Sequence, residues 1–85
     1  MTQVSIQEQA YAAIRDGHIE NTLDLLRAWM NTHATHELIK LDYLSSRWKR
    51  IQQDKKLRLI QIAEAYREEN KIIWDLLKLV EEMAV

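Results

Sequence analysis

Four kinds of residue in this chain could do chemistry. The first is histidine. His33 and His36 lie three apart, with His18 elsewhere. A metal site needs a third or fourth ligand converging on such a pair, and the sequence nominates none. Solvated loop and cap-region histidines are expected, with no metal and no cofactor. The second is the Ser45-Ser46 pair, which has no glycine elbow and no histidine and acid arranged to activate it. These serines are expected to let helices approach or to bond to the preceding turn. The third is the set of carboxylates. Most fall in exposed helical patterns such as Glu64/Glu68 and Glu81/Glu82, whereas general acid–base work requires buried, separated environments that pull pKa values apart. No residue set for an enzyme emerges.

The fourth is a run of cations. Residues 1–46 hold three basic and six acidic groups, residues 47–58 six basic and one acidic, and residues 59–85 three basic and six acidic. The chain is therefore a charge dipole with a basic middle, made by Arg47, Lys49, Arg50, Lys55, Lys56 and Arg58. Such a cluster can bind phosphate backbones. Aromatic interleaving is limited to Trp48, however, and the net charge is −1, so a nucleic-acid-binding regulator ranks below an oppositely charged protein surface. Of the tryptophans, Trp48 is in phase with a core stripe. Trp74 sits between Lys71, Asp75 and Lys78 and is a candidate surface anchor, since tryptophan is favoured at interface hot spots.

The elements that position these residues are helical. There are 85 residues, with no proline, one glycine and no cysteine. That size supports one small domain, and the composition argues against both a turn-rich all-β fold and a disulfide scaffold. No run approaches 18 apolar residues and the start lacks a signal-peptide pattern, so no membrane partner and a cytoplasmic location are expected. A first helix is expected over residues 5–16. Ser5 and Glu8 form its capping box, Ile6, Ala10, Ala13 and Ile14 its apolar face, and Gly17 its end. A second spans 19–30, with stripe Ile19, Leu23, Leu26 and Met30 widened by Leu25 and Trp29. A loop at Asn31–Thr35 follows, and Thr35 can cap a third helix over 36–52 with stripe Leu38, Leu41, Leu44, Trp48 and Ile51.

Past Ile51 the apolar phase slips through the polar run Gln52-Gln53-Asp54-Lys55-Lys56. The slip predicts a corner near residues 52–57. A continuous helix with a polar waist competes, because the run contains no helix breaker. A last helix over 58–83 carries one narrow polar stripe of Glu64, Glu68, Lys71, Asp75, Lys78 and Glu82. The rest of its circumference is apolar, through Ile72, Ile73, Trp74, Leu76, Leu77, Leu79, Val80 and Met83. A helix apolar on most sides is a central pillar or half of an interface.

The order Leu41…Leu44-Ser45-Ser46-Arg47-Trp48, Asp54-Lys55-Lys56-Leu57-Arg58-Leu59-Ile60, Tyr66…Glu69-Asn70-Lys71-Ile72…Leu76-Leu77 resembles the eleventh-numbered effector-associated domain family. The opening Ile14…Gly17-His18-Ile19-Glu20…Leu23…Leu26 is similar to that family's first helix-turn-helix, and the likeness covers about residues 12 to 83. The family's glycine is Arg58 here, its capping serine is Gln61, and its tyrosine, Tyr66, is displaced by one position. The turn before the last helix is thus weakly encoded, and helices three and four could run together by swapping between chains.

The resemblance implies a small death-like adaptor of prokaryotic conflict systems, fused to or recruiting proteases and nucleotide-dependent signalling proteins by like-with-like association in immunity or regulated cell death. Combined with the residues, the expectation is an all-α, compact bundle of about four helices acting as a non-enzymatic adaptor. Its partner would carry a related helical domain, and self-association is expected. The basic Arg47, Lys49, Arg50, Lys55, Lys56 and Arg58 would meet acidic Glu64, Glu68 and Glu69 in a salt-sensitive, heterologous contact. A symmetric dimer burying the last helix through Trp74, Ile72 and Leu79 is the alternative.

Overall fold

The computed structural model describes residues 5–83, and every regular element among them is helical. The order is α1 (Ile6–Arg15), α2 (Ile19–His33), a 3₁₀ turn (Thr35–Glu37), α3 (Leu38–Lys56) and α4 (Ile62–Glu82). Successive helices pack as antiparallel neighbours, α1 on α2, α2 on α3 and α3 on α4. The ring closes where α4 meets α1. The result is an all-α four-helix bundle.

The apolar period places the four helices, and α1 shows how both ends of one are stopped. α1 starts because Ser5 is extended and its Oγ accepts from the Glu8 backbone N–H at 3.1 Å, which satisfies one of the donors the first turn leaves free. It ends in a Schellman motif. The His18 N–H donates to the Ala13 carbonyl and the Gly17 N–H to the Ile14 carbonyl, with Gly17 at φ 80°.

α2 runs one turn past its expected end at residue 30, so the expected Asn31–Thr35 loop shrinks to Ala34 and the 3₁₀ turn. Thr35 does not cap α3. The residue opens the 3₁₀ turn, and α3 continues from it without a side-chain cap.

The corner lies later in the chain than the apolar slip suggested. Gln52–Lys56 is helical, and the chain reverses over residues 57–61. The reversal repeats the hydrogen bonding that ends α1. The Leu59 N–H donates to the Asp54 carbonyl at 2.8 Å, the Arg58 N–H to the Lys55 carbonyl at 3.2 Å, and Arg58 stands at φ 59°. A left-handed conformation costs an L-residue with a Cβ roughly 1–2 kcal/mol. The motif therefore forms here against local preference. α4 starts at Ile62, four residues later than expected.

The core is a single cluster. α4 contributes Ala65, Ile72, Leu76, Leu79 and Val80, facing Leu41, Leu44, Trp48 and Ile51 of α3, Ile19, Leu23, Leu26 and Met30 of α2, and Ala10 of α1. Burying a Leu or Ile side chain is worth about 1.5–3 kcal/mol, so these contacts outweigh the strained turn. α1 is further tied to α4 where Gln7 Nε2 donates to the Val80 carbonyl at 2.9 Å. The last helix is the pillar that both α3 and α1 lean on.

Two substitutions test the paired turns. Arg58→Gly is expected to raise stability by about 0.5–1 kcal/mol, because glycine removes the left-handed cost but loses more entropy on folding. Gly17→Ala, at the same place in the same motif, is expected to lower it by about 1 kcal/mol. Urea unfolding of the three proteins reads both.

Candidate interaction surface

The α3–α4 seam takes up many of the charges that the sequence offered as surface. Arg47 projects from α3 toward α4 and reaches Glu68 at 3.7 Å and Asp75 at 3.6 Å. Its guanidinium also lies 5.5 Å from the Tyr43 ring centroid, a cation–π distance. One turn along α4, Lys71 pairs with Glu68 at 3.1 Å. At the far end Lys40 bridges Glu37 and Glu82, each at 3.5 Å. Its amine is raised above the ordinary lysine value of 10.5, first by the negative charge of Glu37 and then by that of Glu82. A raised lysine adds stability in full below its unfolded pKa and loses it as pH climbs through the higher folded value. The polar stripe on α4 is thus largely the rim of a helix–helix seam.

Nearer the corner, Glu69 is only 8% exposed. Its carboxylate accepts from Gln52 Nε2 at 2.7 Å and lies 3.4 Å from Lys55 Nζ. Lys55 also stands 5.4 Å from the Tyr66 ring centroid. The polar run that looked like a break in the sequence is where α3 grips α4 by hydrogen bonds instead of apolar contact. Gln52 and Lys55 sit one turn apart, so both reach the same carboxylate.

These contacts sort the expected site residues into two groups. Arg47, Lys55, Glu68 and Glu69 serve the fold of their own chain. Glu69 in particular is walled off from any partner, which removes it from the acidic surface expected to receive the basic cluster. Lys49, Arg50, Lys56 and Arg58 are exposed. Among the described residues, their side chains have no ion pair or hydrogen bond. Lys49, Arg50, Gln53 and Lys56 follow one another at spacings of one, three and three down the outer side of α3, all exposed, and Arg58 continues the basic strip into the turn. Around the turn Leu57, Leu59 and Ile62 are also exposed, Leu59 by 71%. Glu64 is exposed on the first turn of α4.

Trp74 is 63% exposed and stands beside Arg67, Asn70 and Lys71. Ile72 and Leu79, expected to join it in a dimer face, are buried in the core. Helical spacing places them on the opposite side of α4, so that face cannot include them. Trp48 is a core residue. Trp29 is half-buried and stacks on His33, with centroids 4.7 Å apart and planes 11° from parallel, while His33 Nδ1 lies 3.1 Å from the Trp29 carbonyl. His36 lies 3.3 Å from Glu37 on the surface.

Sequence reasoning missed the row of carboxylates on α2. Glu20 and Asp24 are exposed one turn apart, and with Leu23, Arg27, Ser45 and Lys49 they line a groove between α2 and α3. In the same groove Arg27 pairs with Asp42 across the two helices. The i, i+4 spacing of Glu20 and Asp24 was visible, but nothing in the sequence placed them beside Lys49. Among the described residues no helix is long and apolar enough to cross a membrane.

Replacing Glu69 by Ala leaves Gln52 and Lys55 without their acceptor in a buried position. The expected cost is about 1–3 kcal/mol of stability, read by urea unfolding. Exposed Glu64→Ala, measured alongside, is expected to fall within about 0.5 kcal/mol of wild type.

A family model described as effector-associated domain 11 matches residues 5–84. No curated protein and no solved structure matches the chain. The family match spans all four helices and the strained turn between the last two, and this chain belongs to the effector-associated domain 11 family.

Proposed function

We propose that this chain is a non-enzymatic adaptor that brings an effector into a complex by docking against a related helical domain, in prokaryotic immunity or regulated cell death. Membership of an effector-associated domain family supports an adaptor-type module. The observation that carries the reading further is the division of the basic cluster. Two of its six members are paired within the fold, while Lys49, Arg50, Lys56 and Arg58 stand exposed in one strip without internal partners.

Charges held in one strip on a rigid helix steer an encounter and choose among partners, and they contribute less to affinity than a buried apolar contact does. The exposed Leu57, Leu59 and Ile62 at the end of the strip supply that apolar element. Cations around exposed aliphatic side chains suit a partner surface that is acidic with apolar residues among its carboxylates. Such contacts are transient and screened by salt, which fits recruitment better than permanent assembly.

The test is co-purification of the chain with a tagged effector that bears a domain of the same family. Replacing Lys49, Arg50, Lys56 and Arg58 together by Gln is expected to weaken binding at least tenfold while leaving helicity and unfolding midpoint unchanged. Wild-type binding is expected to fall as salt rises from 0.05 to 0.5 M. Equal binding by the glutamine variant would contradict the proposal.

A further inference from the structure

α4 is the most acidic helix of the bundle, yet its outer side is cationic. Its carboxylates are Glu64, Glu68, Glu69, Asp75, Glu81 and Glu82, against the cations Arg67, Lys71 and Lys78. The fold engages most of the carboxylates along the seam with α3. Arg47 takes Glu68 and Asp75, Lys55 takes Glu69, and Lys40 takes Glu82. On the side turned away from that seam, Arg67, Asn70, Lys71 and Trp74 line one shallow hollow. Lys71 shares Glu68, but the side chains of Arg67 and Asn70 have no ion pair or hydrogen bond among the described residues. Lys78 is also exposed and unpaired, and helical spacing sets it one turn beyond Trp74. The Trp74 ring itself is open. Exposed Tyr43 and Tyr66 each have a cation of this chain near the ring, Arg47 and Lys55 respectively. Trp74 has no such cation, and its indole N–H has no acceptor among the described residues.

We infer that this side of α4 binds a short acidic segment of another protein. One apolar side chain of the segment lies on the Trp74 ring, with carboxylates on Arg67 and Lys78 to either side. The donor set around the ring decides the sign of the ligand. The guanidinium, the two ammonium groups and the indole N–H can only donate, and Asn70 alone can also accept. The complementary ligand is therefore negative and rich in acceptors, with an apolar group for the indole face. Its length is bounded as well. Arg67 and Lys78 are separated by about 17 Å along the axis at 1.5 Å per residue, a span that about five extended residues cover. Glu64 and Glu81 are exposed one turn beyond the two ends and repel a ligand whose charge runs on. A nucleic-acid strand, charged at every step, fits such a bracketed site less well than a short peptide does. The site lies on α4 and the recruiting strip on α3, so it goes beyond the recruitment reading and does not rest on it.

The test is nuclear magnetic resonance of the full chain labelled with nitrogen-15, the Trp74 indole signal being identified by its loss in Trp74→Phe. The probes are a pool of synthetic heptapeptides with one central leucine or phenylalanine flanked by glutamates and aspartates. A pool with lysines in place of the acids and a short oligothymidylate serve as comparisons. At 0.05 M salt the acidic peptides are expected to move the Trp74 indole and the Arg67, Asn70 and Lys71 amides to saturation. The indole signals of Trp29 and Trp48 are expected to stay in place. Raising salt to 0.5 M is expected to weaken binding at least tenfold. Trp74→Ala, and separately Arg67→Glu with Lys78→Glu, are each expected to weaken it at least tenfold. These side chains are exposed, so helicity and the unfolding midpoint are expected to match wild type.

The inference is overturned if no acidic peptide moves the Trp74 signal, or if the peptides that bind move only the Lys49, Arg50, Lys56 and Arg58 amides. Equal shifts with oligothymidylate or with the lysine peptides overturn it too, the first in favour of a nucleic-acid face. If the peptide site fails while the glutamine variant still loses its effector, the recruitment reading survives without it. If the peptides bind at Trp74 but the glutamine variant keeps its effector, the recruitment reading fails and the α4 site stands.

Discussion

The structure depends on one strained residue, Arg58, held left-handed at φ 59° where the chain reverses between α3 and α4. Its cost is roughly 1–2 kcal/mol, small beside the burial of Ile72, Leu76, Leu79 and Val80 that the reversal makes possible. Once α4 lies back along α3, the fate of the charges is settled. Arg47 falls between Glu68 and Asp75, Lys40 beside Glu82, and Gln52 and Lys55 against Glu69. What remains without a partner on the outer side of α3 is the surface available to another protein.

Much of this was legible because helices advertise themselves by period. The stripe Leu38, Leu41, Leu44, Trp48 and Ile51 predicted a helix with Trp48 in the core, and Trp48 is buried there. Ser5 and Gly17 carried the signals for the two ends of α1, and both residues act as caps. The all-helical fold and the family were readable from composition, spacing and motif order together. Trp74, beside the polar stripe, was readable both as part of the apolar circumference and as a candidate surface anchor, and the structure leaves it exposed.

What was not legible fails for identifiable reasons. The polar run Gln52–Lys56 reads as a break only if helices are thought to pack through apolar side chains alone. Here Gln52 and Lys55 bind a buried carboxylate 14 to 17 positions away, and no local pattern announces it. Arg58 in a glycine's conformation defeats a rule based on local preference, because tertiary packing sets the backbone there. A sequence likewise cannot separate a solvated glutamate from one facing a cation on another helix. That is why Glu68 and Glu69 were assigned to a partner while Glu20 and Asp24 were passed over.

Because the turn decides which charges stay free, the most direct test is a distance along the α3–α4 pair. Spin labels at positions 39 and 81, on the exposed start of α3 and end of α4, can be read by pulsed electron resonance in a sample diluted with unlabelled chain. In the folded-back arrangement Lys40 Nζ lies 3.5 Å from Glu82 Oε2, so a single narrow distance below about 25 Å is predicted for labels on adjoining helix ends. A chain that ran straight from α3 into α4 would separate the same positions by about 63 Å at 1.5 Å per residue. That longer distance would contradict the account.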